Sequence, residues 1–167
     1  MIPTEGSQEI VEAIQGYPPN LRRLSAYVRG CHTFLDASRP TYQRLTHLDL
    51  IEAHKWEYWS TFLTQLPSLT HLALDHTRGL MISDVLRECR KVRALLFVSE
   101  DYSMEEVCVE DADDKKYMDV DERVVVVSIR ALDNWLSGVR GEVDMWALAD
   151  RVIMERRQKR EKRLDAD

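Results

Sequence analysis

A chain of 167 residues with 44% hydrophobic and 31% charged side chains has the composition of a globular domain, and at this length folding buries roughly 68–70% of the unfolded surface. No apolar run approaches the ~20 residues of a membrane-spanning helix, and a net charge of −6 argues against general nucleic-acid binding, which rests on a basic surface. Met-Ile-Pro-Thr-Glu-Gly is no secretory signal, and Cys31, Cys89 and Cys108 are too irregularly spaced for a disulfide framework or a zinc site, so a reducing compartment, cytoplasmic or nuclear, is expected.

In chain order, Ser7 to Gly16 reads as a short helix. Ser7 is the expected cap, Ile10, Ala13, Ile14 and Tyr17 share the apolar face, and Gly16-Tyr-Pro-Pro19 stops it. Leu21-Arg-Arg-Leu24-Ser-Ala26 then opens a pattern that recurs as Leu45-Thr-His-Leu-Asp-Leu50, Leu69-Thr-His-Leu-Ala-Leu74 and Val92-Arg-Ala-Leu95-Leu-Phe97. The first residues of the four copies are 24, 24 and 23 positions apart. Equal spacing of one short apolar motif is the mark of a repeat architecture. Within each copy the alternation is that of a strand. Leu48 and Leu50 point to an interior, and His47, Asp49 and Ile51 point outward.

Between the strands the periodicity changes. Residues 30–43 predict a loop with at most one helical turn, around Thr33–Ala37. Trp56, Trp59, Phe62, Leu63 and Leu66 are spaced as a helix that Pro67 ends. Ser83 is the expected cap of a further helix, with Val85, Leu86 and Cys89 facing inward. A unit of this kind cannot bury its apolar face alone and stacks on its neighbours. The fold class expected is therefore α/β: a short leucine-rich-repeat solenoid with a parallel sheet on the concave face and helices on the convex face.

Residues 99–122 are acidic and read as an exposed insertion loop. Val124 to Ile129 predicts a fully buried fifth strand. Leu132, Trp135 and Leu136 share a helical face that Gly138 ends, and Asp144 leads into a longer helix with Met145, Leu148, Ala149, Val152 and Ile153 as its stripe. Beyond Met154 the basic run through Arg163 has no apolar face and predicts a solvated helix end. Read as domains, residues 1–129 form the array and residues 130–167 a helical cap with a charged tail. The four tryptophans, Trp56, Trp59, Trp135 and Trp146, lie on apolar stripes and are expected in the core.

Several of these stretches together resemble the C-terminal part of fungal leucine-rich-repeat proteins related to F-box proteins. They are Arg44 to Leu50, Leu66 to Leu74, Val85 to Arg90, Arg123-Val-Val-Val-Val127, and the ending that joins Asn134-Trp135, Gly138, Gly141, Asp144 to Ala149 and Arg156-Arg157. The resemblance covers roughly residues 20–160 and implies a repeat scaffold that binds proteins, in some relatives as the substrate-recognition part of a ubiquitin-ligase adaptor. Two departures stand out. The stretch ahead of Leu21 leaves no room for an F-box. The asparagine commonly found three residues after the last strand leucine is replaced by Arg29, Ala53 and Thr77.

On this reading the chain is no enzyme and takes no cofactor or metal. Its partner is an unidentified protein on the concave face, with no nucleic acid and no membrane involved. The outward columns run Arg23, His47, His71 and Ala94, then Ser25, Asp49, Ala73 and Leu96, then Tyr27, Ile51, Asp75 and Val98. Arg23, Tyr27, His47, Asp49, Ile51, His71, Asp75, Leu96 and Val98 are the expected contact residues, on a face that grows more apolar toward Leu96 and Val98. The competing reading is a metal-dependent or hydrolytic enzyme using His47, His71 and Asp49, with His54 and His76 as further candidate ligands. A third is a fragment without an independent role.

Overall fold

The computed structural model describes residues 5–28, 35–51, 53, 55–75, 82–100, 108–109, 121–129 and 131–165. It is an α/β structure with parallel strands, and its contacts divide it into two compact units, Met1–Arg93 and Ala94–Asp167.

The first unit contains α1 (Glu5–Gln15), β1 (Arg23–Tyr27), a 3-10 turn at Pro40–Tyr42, β2 (His47–Ile51), α2 (Trp56–Gln65), β3 (His71–Asp75) and α3 (Ile82–Glu88). The strands are parallel, and their register reproduces the step in the sequence: Arg23 lies beside His47 and His47 beside His71, with Leu24, Leu48 and Leu72 in the next row. Leu48, Leu72 and Leu74 are fully buried and Leu50 is 1% exposed. The leading Leu45 and Leu69 are buried as well, where the chain bends into each strand.

Side-chain bonds recur at steps of 24 or 25 residues and tie successive strand segments of this unit together. Thr46 Oγ1 donates to the Arg22 carbonyl at 3.0 Å and Thr70 Oγ1 to the Thr46 carbonyl at 3.2 Å, each across 24 residues. Lys91 Nζ reaches the Pro67 carbonyl at 2.7 Å, and Ser68 Oγ the Gln43 carbonyl at 2.8 Å. The Arg22 and Thr46 carbonyls also accept backbone N–H groups of the next strand, so the threonine hydroxyls reinforce the ladder where each strand begins. On the helical side α2 packs beside α3, with Trp59, Phe62, Leu63, Ile82, Val85 and Cys89 buried. Leu66 is extended ahead of Pro67, as the residue before a proline prefers, and α2 ends there.

Three local expectations shift. Helix α1 begins at Glu5, so Ser7 lies inside it; among its described side chains Val11 and Ile14 are buried; Ala13 and Tyr17 are exposed, and the Ile10 side chain lies outside the described residues. The short helical turn sits at Pro40–Tyr42, where proline supplies the starting φ. Buried Thr41 donates from there to the Gln15 and Tyr17 carbonyls at the end of α1, while Tyr42 packs edge-on against Phe62 at 5.1 Å. Of the Thr33–Ala37 stretch, where a turn was expected, residues 33–34 lie outside the described residues and Leu35 to Ala37 form no helix. Helix α3 starts at Ile82, whose buried side chain anchors the first turn, so Ser83 is not its cap.

The second unit contains β4 (Ala94–Glu100), β5 (Cys108–Val109), β6 (Val124–Ile129), α4 (Ala131–Arg140) and α5 (Met145–Leu164). Strand β6 runs parallel to β4, with Leu95 beside Val124 and Val98 beside Val127, and β5 is antiparallel to β6. The compact units meet at 93/94 because β4 and β6 pair with each other and α5 packs on both. The expected loop at 99–122 contributes the end of β4 and all of β5; residues 101–107 and 110–120 of it lie outside the described residues.

The corner between α4 and α5 has a compact explanation. Helix α4 runs through Gly138 to Arg140 and stops at Gly141, whose φ of 74° closes the helix with bonds from Gly141 N–H to Gly138 O and from Glu142 N–H to Ser137 O. Asp144 caps α5 by accepting from the Ala147 N–H at 2.9 Å, and Asn134 Oδ1 accepts from the Met145 N–H at 2.7 Å. Gly138 makes room for this junction, since a Cβ there would meet Asp144 Oδ2 at 3.1 Å. Asn134, Gly138, Gly141 and Asp144 thus form one helix corner.

The basic end of α5 is exposed for the most part, yet it is not without contacts. Arg156 Nη1 donates to the Val124 carbonyl at 2.5 Å and to the Glu122 carbonyl at 3.3 Å. Glu122 also receives Arg157 at 3.0 Å and Arg160 at 3.5 Å. These exposed ion pairs orient the helix end at the start of β6 and add little stability. Beside them Asp121 accepts two side-chain bonds from Arg123, whose guanidinium holds the Asp121 carboxyl below its usual range.

A candidate binding face

The outward positions of β1 to β3 form one face at a strand spacing of ~4.8 Å. The imidazoles of His47 and His71 stack on it, with centroids 4.1 Å apart and ring planes 9° from parallel. Parallel in-register pairing of two Thr-His dipeptides makes this stack, since it sets each ring directly over the next. Each Nδ1 lies 2.8 Å from the hydroxyl of the preceding threonine. The same hydroxyls reach the Arg22 and Thr46 carbonyls, and the tautomer of each imidazole sets which member of the Thr–His pair donates. The threonines were not among the expected site residues; their signal was the repeated Thr-His pair itself.

Next to the stack, Ser25 Oγ donates to Asp49 Oδ2 at 2.6 Å, joining β1 to β2 across the same face. Exposure falls steadily across it. Arg23 and Ser25 are exposed and Tyr27 is 47% exposed; His47, Asp49 and Ile51 are half-buried; His71 is 8% exposed and Ala73 is fully buried. The Asp75 side chain, His54 and His76 lie outside the described residues.

Leu96 is fully buried and Val98 is 9% exposed. Neither offers surface to a partner, contrary to the expectation that the face ends in them. The reason is that β4 and β6 are covered on both sides, with Ala94 to Val98 and Val124 to Ser128 all buried and α5 packed on the pair. Five consecutive apolar residues from Ala94 mark a strand buried on both faces, as the valines of β6 do.

The stack is poor metal geometry. The midpoint between centroids 4.1 Å apart is about 2 Å from either ring. A metal bonded to both at ~2.0–2.1 Å would stand far out of each ring plane, where the nitrogen lone pair lies. Among the described residues no group of three or more His, Cys, Asp or Glu side chains could hold a metal ion. Nor is Cys89 an activated nucleophile: burial, aided by the Glu88 charge, pushes its thiol up to about 11. Of the expected core tryptophans, Trp59 and Trp146 are buried, Trp56 is half-buried, and the Trp135 side chain lies outside the described residues.

No helix among the described residues is long and apolar enough to cross a membrane. No family model, curated protein or solved structure matches this chain.

Proposed function

We propose that this chain is a non-enzymatic protein-interaction module, a short leucine-rich-repeat-like array whose outward β1–β2 surface holds a protein partner. One observation carries the reading. A regular leucine lattice buries one side of the strands and leaves the other side with Arg23, Tyr27, His47, Asp49 and Ile51 wholly or half open in fixed register. Arginine and tyrosine on a rigid strand supply large contact area at low ordering cost and are enriched among binding hot spots. The resemblance to F-box-related repeat proteins agrees with such a role and extends it to substrate recognition for a ubiquitin ligase. A metal-dependent or hydrolytic role finds no comparable support in the stacked histidines.

The test is affinity purification from the native cell with the unaltered chain and with Arg23→Ala, Tyr27→Ala and Ile51→Ala combined. Arg23 and Tyr27 are exposed and Ile51 is half-buried, so the fold is expected to survive. Binding to the recovered partner is expected to weaken at least ~10-fold, the equivalent of ~1.4 kcal/mol. Undiminished binding by the folded triple variant would contradict the reading.

A further inference from the structure

Among the described residues, strand β1 is the outermost strand of its unit and pairs with β2 along one edge. The pairing has a definite parity. The Arg22 carbonyl accepts from the Thr46 and His47 N–H groups, and the Val28 N–H donates to the Ile51 carbonyl. Even-numbered residues therefore turn their backbone groups toward β2, while Ser25 and Tyr27 turn theirs to the opposite edge. The core row is incomplete at this same place. Leu24 and Ala26 stand in register with Leu48 and Leu50, yet they are only half-buried.

We propose that this edge is a self-association site, on which β1 of a second copy of the chain pairs antiparallel about Ser25. The sequence Arg23-Leu-Ser-Ala-Tyr27 is self-complementary in that arrangement. Ser25 meets Ser25 of the second copy at the two-fold axis and exchanges both backbone bonds with it. Leu24 meets Ala26, large against small, and closes the open row of the core on both sides. Arg23 comes to lie across from Tyr27, a favourable pairing of cation and ring. Parallel in-register pairing would instead set Arg23 against Arg23, like charge against like charge. The antiparallel form is also a closed two-fold contact, which ends at a dimer instead of growing into a fibre. It joins two outward faces side by side and does not depend on those faces binding a partner.

Sedimentation velocity on the full chain across ~1 µM to ~1 mM tests this, a range suited to so small an interface. The unaltered chain is expected to pass reversibly from monomer to dimer. Ser25→Pro removes the N–H that would bond across the axis, at an edge position where proline is tolerated. Ser25→Arg sets two cations opposite each other at the axis. Both variants are expected to remain monomeric with an unchanged circular dichroism spectrum; should the proline variant fail to fold, the arginine variant decides. A monomer at every concentration of the unaltered chain, or a dimer that persists in the folded variants, overturns the proposal.

Discussion

Leu48→Ala is expected to cost ~2–5 kcal/mol of unfolding free energy, a large share of the ~5–15 kcal/mol typical of a domain. Leu48 is fully buried between Leu24 and Leu72 in the inward row of three strands. Truncation removes its transfer energy and leaves a cavity that neighbours locked in register cannot collapse to fill. The half-buried Leu24 occupies the equivalent position at the open end of the row. Leu24→Ala is therefore expected to cost distinctly less. Urea denaturation of both variants checks the order, with an unchanged slope showing that the unfolded state is not the cause. Equal losses at the two positions would mean that the row is not closed around β2.

Asn134→Ala is expected to cost ~1–3 kcal/mol, because it leaves the Met145 N–H without its side-chain acceptor in a buried corner. The Asp144 cap serves a different donor, Ala147, and does not replace it. Val139→Ala, at a 65% exposed position in the same helix, is the control and should stay within ~0.5 kcal/mol. Denaturation of the two variants separates a helix corner held by a specific bond from one held by general packing. If both variants match the unaltered chain, the bond is not holding the corner.

The inward side of this fold was legible in the sequence for a plain reason. A strand alternates with period two, so Leu48 and Leu50, or Leu72 and Leu74, announce their shared face without reference to anything distant. The step between copies then fixed which residues would lie side by side, and Arg23, His47 and His71 do. Helix ends were less legible. Gly138 and Gly141 are both plausible stops, and the difference between them is a contact with Asp144 that sequence spacing does not carry.

The outward face was legible only in part. Alternation in His47-Leu-Asp-Leu50 indicates one open side, and that side is half-buried, not fully exposed. In Ala94 to Val98 the alternation is absent, and the run of apolar residues already pointed to cover on both faces. Extending the outward columns into β4 carried the pattern of one strand type onto another. The reach of Arg156 to the start of β6 was invisible for a different reason: a long basic side chain finds carbonyls only once tertiary structure brings them near.

The claim that most needs a direct measurement is that the outward side of β1 and β2 is where a partner sits. A photo-crosslinking amino acid placed at Tyr27, 47% exposed on that face, samples it in the native cell. The same residue placed at Tyr58, 41% exposed on α2, samples the helical side at similar accessibility. A discrete crosslink to a protein other than a second copy of this chain is expected from position 27, and none from position 58. Crosslinking to a partner from position 58 alone would contradict it.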